Sequence, residues 1–379
     1  MSTSNESEVV PVAAPWLGER ERTYVNQALT DGAISGYFGR HLEQFETEFA
    51  RYCGCSQAVT VSNGTTALHL ATATLGLGPS DEVLVATLTN MATFFAVHYT
   101  GAKAVPIDIE PDTLNLDPAE LERKITPRTR AIIVVHLFGH PVDMDPVLAV
   151  AKKHKLFVIE DCAQAHGALY KGRKVGGLGH MGCFSFYANK IITTGEGGML
   201  TTNDPALAER ARSLKSLAFG RTNKFMHSDI GFNYRMTNLQ AAVGCAQLER
   251  IDEIIANKRR IAAYYSDHLR RFSELELPVE KGYARNVYWM YHLALGGRFA
   301  TRRDEVMARL RSAGVETREG FVPYNMQDLF IERGWTRADE CPRANAVALR
   351  SFYLPSGPTL SEQQLAKVVR CLSEILNAA

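Results

Sequence analysis

No excess of charge of either sign runs through this chain: 42 lysines and arginines face 41 aspartates and glutamates, for a formal net charge of +1. That balance offers no footprint for nucleic acid or an anionic membrane surface, and leaves only local phosphate sites open. Long apolar runs are missing too. The longest, "AIIVVHLF", is far short of the roughly 20 residues that cross a bilayer. The polar start "MSTSNESEVV" lacks the basic and apolar regions of a signal peptide. Patterned cysteines are lacking as well: of seven, only Cys53 and Cys55 lie close together, with no second pair at metal spacing. The expectation is a cytoplasmic protein with buried, reduced thiols, no metal site, no nucleic-acid partner and no membrane partner.

What is present is a rhythm. From about residue 57, short β-branched runs alternate with helical stretches: "QAVTVSNG", "EVLVATLT", "KAVPIDI", "RAIIVVHLFG", "LFVIEDCA", "CFSFY" and "GGMLTTN". Continuous apolar strands separated by helices belong to a mostly parallel sheet covered on both faces. The expected fold class is α/β: a three-layer α/β/α large domain over residues 1–250 with an N-terminal arm, then a smaller α+β domain over 251–379. In "NLDPAELERKI", Asp117 reads as an N-cap, Pro118 as the first helical residue and Glu120 as a capping acid.

Three stretches carry chemistry. In "VTVSNGTTALHL" a strand ends in a tight turn and Thr65 opens a helix, whose free N–H groups and positive dipole end favour an anion. A capped helix after a strand is the plainer reading. In "LFVIEDCAQAHGA" an apolar strand delivers Glu160 and Asp161 at its carboxyl end, where open α/β sheets place ligands. Adjacent strand residues face opposite ways, so only one of the two acids can enter a given site. In "CFSFYANKIITTGEGGML", Lys190 directly follows a strand that carries Ser185. Each taken singly is open to a structural explanation, as a helix cap, a salt-bridge partner or a turn residue.

Together they describe the needs of pyridoxal 5′-phosphate: a lysine for a Schiff base, a carboxylate to keep the pyridine nitrogen protonated, and a helix N-terminus for the phosphate. "GGLGHMG" also satisfies G-x-G-x-x-G at Gly177, Gly179 and Gly182, but it precedes a strand, whereas a dinucleotide fingerprint follows one.

The wording of "SNGTTALHL", "VIEDCAQAHGA", "FSFYANKIITTGEGGM" and "GFNYRMTNLQAAVG" resembles the DegT/DnrJ/EryC1/StrS sugar aminotransferases, pyridoxal-phosphate enzymes of fold type I (aspartate aminotransferase-like), over nearly the whole chain. It is most similar to their GDP-perosamine synthase branch. The resemblance implies that Lys190 forms the Schiff base and shuttles protons. It implies that Asp161 pairs with the pyridine nitrogen, that Gln164 touches the ring near its hydroxyl, and that Gly64, Thr65 and Ser185 hold the phosphate. Asn233 would reach the cofactor of a neighbouring subunit, making an obligatory homodimer with a shared active site. The position usually given to a ring-stacking aromatic here carries Asn90, so either an amide covers the cofactor or Phe94 or Phe95 does. Arg318 and Tyr324 would contact substrate, as would Asn325, which stands where relatives often have histidine.

The reaction implied moves an amino group from L-glutamate to a carbonyl sugar. A nucleotide-linked 4-keto-6-deoxyhexose, GDP-4-keto-6-deoxymannose first, leads as acceptor, with an oxidised 3-deoxy-octulosonate as the alternative. Related sugar dehydratases carry histidine in place of the lysine, so Lys190 argues for transamination. A regulatory or scaffolding role fits poorly with an intact Lys190, Asp161 and Ser185.

Overall fold

A computed structural model describes residues 9–220 and 222–378. The seven apolar runs form seven strands: β1 (Gln57–Val61), β2 (Glu82–Ala86), β3 (Lys103–Ile107), β4 (Thr129–Val135), β5 (Phe157–Asp161), β6 (Met181–Ser185) and β7 (Gly198–Thr202). They lie side by side in the order β1-β7-β6-β5-β4-β2-β3. Neighbours from β6 through β3 run parallel, and β7 is antiparallel to both β1 and β6.

The two-residue period of a strand sorts the apolar side chains into two cores. Leu84, Ala86, Ile132, Val134 and Val158 point to one face, against Phe45 and Phe49 of the helix Arg40–Cys53. Val83, Val85, Ala131, Ile133 and Ile159 point to the other, against Leu68 and Leu70 of the helix Gly64–Thr74 and Phe94 of the helix Ala92–His98. Burial on both faces is why these strands read as unbroken apolar runs, and the result is the expected three-layer α/β/α arrangement.

Beyond residue 250 the helix Ile251–Leu269 leads into a four-stranded antiparallel sheet built from Leu275–Glu276, Tyr291–Leu295, Ser351–Leu354 and Arg318–Glu319. This sheet and the helices Arg303–Ser312 and Glu362–Asn377 enclose a third core. Two segments cross between the units. The N-terminal arm joins the small domain, with Val10 bridged to Val315 and the Ser356 N–H donating to the Val12 carbonyl at 2.9 Å. The segment around Tyr324 turns back onto the large domain: its N–H donates to the Thr87 carbonyl at 3.0 Å, and its ring stacks on Phe94 at 4.0 Å.

Asp117 accepts the Ala119 N–H at 3.0 Å but caps only a short 3₁₀ turn, Pro118–Glu120, before the one-turn helix Leu121–Lys124. Glu120 forms ion pairs with Arg123 and Arg343 instead of closing a capping box.

Candidate active site

The carboxyl ends of the parallel strands open into a cleft of about 520 Å³, within the range of small-molecule and cofactor sites. Gly64, Thr65, Asn90, Asp161, Gln164, Ser185 and Lys190 all line it. They come from the turns after β1 and β2 and the ends of β5 and β6, so the parallel topology gathers positions far apart in sequence.

Glu160 and Asp161 end β5 and, as strand geometry requires, part ways. Glu160 turns from the cleft and is fully buried. One carboxylate oxygen accepts the Leu178 and Gly179 N–H groups at 2.8 and 2.7 Å; the other accepts the Gly176 N–H at 2.8 Å and His136 Nε2 at 3.1 Å. Because His136 Nδ1 accepts the Val142 N–H at 3.0 Å, Nε2 carries the proton given to Glu160. Burial pushes the Glu160 carboxyl up, but His136 and the backbone donors outweigh it and hold the group below its ordinary range. The glycine-rich "GGLGHMG" loop thus cradles the chain's own carboxylate. His136, Glu160 and Cys162 also bring potential metal ligands within 4.8 Å of one another, yet the Glu160 oxygens and both His136 nitrogens are already engaged in these hydrogen bonds.

Asp161 faces the cleft. Its two oxygens accept the Thr93 hydroxyl at 2.8 Å and the Ala163 N–H at 3.0 Å. Burial raises its pKa despite these donors and the nearby Lys190. A buried acid whose charge the protein leaves under-compensated is suited to a cationic ring nitrogen.

The turn after β1 is shaped for an anion. Asn63 caps the helix Gly64–Thr74 by accepting the Thr66 N–H at 2.9 Å, while helix geometry gives the Gly64 and Thr65 N–H groups no partner within the helix. A Cβ on residue 64 would come within 2.6 Å of Ser185 Cβ, so glycine is what lets this helix end approach β6. Three groups suited to phosphate therefore converge: two N–H donors and the Ser185 hydroxyl.

Lys190 sits in the turn after β6, its N–H donating to the Tyr187 carbonyl at 2.9 Å. The side chain is half-buried and lines the cleft, with its amine 4.0 Å from the centroid of the Trp289 ring. Burial pulls the pKa down to about 8, with Asp161 pushing the other way. Gln164 gives its side-chain oxygen to the Phe138 N–H at 2.8 Å, which leaves its amide nitrogen as a donor for a ligand.

The other expected positions divide. Asn90 lines the cleft, its side-chain oxygen accepting the Ala92 N–H at 3.0 Å. Phe94 is fully buried against Tyr324, and Phe95 packs with Tyr99 and Phe330, so neither ring takes the place over the cleft floor. Asn233 is exposed and outside the cleft of its own chain. Arg318 is exposed at the edge of the small-domain sheet, where it donates to the Thr317 carbonyl. Tyr324 and Asn325 are fully buried between the domains and do not reach the cleft. The Tyr324 hydroxyl meets His98, and Asn325 accepts the Thr87 hydroxyl at 2.7 Å while donating to Asn345 and the Ala338 carbonyl. Sequence reasoning missed Thr93, Tyr187, Glu196 and Trp289. Thr93 lies 68 positions from the acid it bonds, so no local pattern announces it.

A parallel sheet whose strand ends assemble an amine, a buried acid and an anion cradle defines a transferase of the pyridoxal phosphate class. The chain belongs to the DegT/DnrJ/EryC1/StrS aminotransferase family, whose model matches residues 15–373. It is 44% identical over 368 residues to GDP-perosamine synthase of Caulobacter vibrioides, covering 97% of this chain and 98% of that protein. It is 40% identical over 365 residues to GDP-perosamine synthase of Escherichia coli O157:H7, covering 96% and 98%. The crystal structure of S. venezuelae DesV matches with a TM-score of 0.90 at 35% identity, covering 98% of this chain and 99% of that one. The protein is a pyridoxal-phosphate-dependent sugar aminotransferase. Among the described residues no helix is long and apolar enough to cross a membrane.

Proposed function

We propose that this enzyme transfers an amino group from L-glutamate to the 4-keto carbon of a GDP-linked 6-deoxyhexose, a GDP-perosamine-type reaction serving cell-surface polysaccharide synthesis. The observation that carries the reading is the meeting of Lys190, Asp161 and the Gly64–Ser185 cradle in one cleft. The acceptor is drawn from what the two relatives above are named for.

Pyridoxal phosphate, when bound, supplies an electrophilic carbon and a ring that accepts electrons. The chain's residues do the rest. Gly64, Thr65 and Ser185 would hold the phosphate, and Asp161, oriented by Thr93 and Ala163, would keep the ring nitrogen charged. Gln164, whose side-chain oxygen is taken by the Phe138 N–H, would offer its amide nitrogen to the cofactor ring. Lys190 Nζ, whose pKa burial brings into the working range, takes the proton from the donor's α-carbon and in the return half-reaction gives one to the sugar carbon. Asn233, exposed on its own chain, fits a contact to a partner's cofactor phosphate, so the working unit is a homodimer. Seven buried free cysteines suit a cytoplasmic location.

The test is a two-step absorbance experiment. L-glutamate should bleach the bound cofactor's visible band, and GDP-4-keto-6-deoxymannose, added after glutamate is removed, should restore it. Restoration only by a different keto or aldehydo sugar would replace the acceptor; no bleaching by glutamate would replace the donor.

A further inference from the structure

Among the described residues, Lys190 has no carboxylate within ion-pair distance. Its electrostatic partner, Asp161, has its oxygens engaged by Thr93 and Ala163, and the buried His166 adds a group whose pKa burial pulls down to about 3. What the amine does touch is a ring. Lys190 Nζ lies 4.0 Å from the centroid of the Trp289 side chain, which the small domain contributes. The contact is braced from both sides, because Trp289 Nε1 donates to the carbonyl of Asn189, the residue before Lys190, at 2.8 Å.

The turn that delivers Trp289 is itself held in an unusual shape. Tyr288 adopts a left-handed backbone, φ 49°, which non-glycine residues take only when their surroundings impose it. The surroundings do so: the Tyr288 N–H donates to the Asn286 side chain at 2.7 Å, and the Asn286 N–H donates to Glu280 at 2.7 Å. The Val287 N–H donates to the Gly139 carbonyl, on the large domain, at 3.2 Å. The result presents a nearly fully buried indole face to one amine.

We propose that Trp289 is the resting platform of Lys190: whenever the lysine is not bonded to cofactor and carries its proton, its ammonium sits on the indole face, which makes Trp289 a positioning residue supplied by the small domain. Indole is the strongest of the aromatic faces for a cation, and exclusion of water strengthens the attraction. The platform keeps a long, flexible side chain beside the site during the half-reaction in which it is free, and so limits the entropy lost on each return. This rests on Lys190 being the residue that bonds the cofactor.

The experiment is a tryptophan-emission titration of the full-length chain freed of cofactor, from pH 6 to 10. Among the described residues, the charged or titratable groups packed against the other two indoles keep their charge state there. Trp16 lies against Arg250, whose guanidinium keeps its charge in this range, and Trp335 stacks on His98, pulled down to about 4 by burial. The wild-type chain should show an emission step with its midpoint near pH 8. Lys190→Met, which leaves every tryptophan in place, should abolish the step, and Trp289→Phe should do the same with the thermal midpoint checked alongside. A step that survives in Lys190→Met, or a wild-type chain with no step, overturns the proposal even if Trp289→Phe fails to fold. The underlying reading fails separately, by borohydride fixing the cofactor to a residue other than Lys190.

Discussion

Glu160 and Asp161 are chemically near-identical neighbours at the end of one strand, and the fold gives them opposite work. Glu160 faces inward to a closed nest of three backbone N–H groups and His136, so its charge is fully met by the protein. Asp161 faces the cleft with two donors, and burial leaves its carboxyl raised. A buried charge satisfied from within supports the fold, while one left partly unmet is available to a ligand.

The comparison can be broken at the cleft first. Lys190→Ala should remove turnover altogether, a loss of at least about 10⁴-fold, because among the described residues no other lysine lines the cleft to bond the cofactor or move its protons. Its denaturation midpoint should stay close to wild type, which a urea titration beside the assay would check. Asp161→Asn should lower turnover by roughly 10²- to 10³-fold, since an amide cannot hold the ring nitrogen charged. An Asp161→Asn enzyme with full activity but weakened folding would make the two acids alike.

Glu160→Gln should behave in reverse. It places an amide NH₂ among N–H donors and removes a buried charge from its partners, at a cost of roughly 3 to 5 kcal/mol read from denaturant unfolding. The pH dependence sharpens the point. A carboxyl whose pKa is depressed in the folded state contributes stability above its unfolded value, and that stability is lost as pH falls through the folded one. The gap between wild type and Glu160→Gln should therefore be widest near neutrality and close in acid.

A smaller effect is expected where the anion cradle closes. Gly64→Ala forces a Cβ to within 2.6 Å of Ser185 Cβ, so the helix end must shift. A cost of about 1 to 3 kcal/mol in stability, with weaker pyridoxal phosphate binding, is the expected result. Smallest is a pH effect: the rate at which the cofactor-free chain captures pyridoxal phosphate should climb as pH rises through about 8, where the Lys190 amine loses its proton.

Legibility in the sequence followed the same divide. The seven strands could be read because both-face burial writes itself as unbroken apolar runs. Lys190, Asp161, Gly64 and Ser185 could be read because each closes or follows such a run, and strand ends are where this topology opens. The parity rule separated Glu160 from Asp161 without saying which enters the cleft; the resemblance pointed to Asp161, and Asp161 lines the cleft. Residues acting across long separations stayed hidden. Thr93 orients Asp161, and Trp289 meets Lys190 from the other domain, with nothing in either neighbourhood to mark them. Tyr324 and Asn325, expected from the resemblance to contact substrate, lie on a loop that folds back onto Thr87 and Phe94, a burial that no local pattern in the sequence announces.

The most direct test of the account is to reduce the holoenzyme with borohydride and locate the pyridoxyl group by peptide mass spectrometry. The account predicts a single adduct on Lys190 in wild type and none in Lys190→Ala. An adduct on any other lysine, or an active enzyme that yields no adduct, would contradict it.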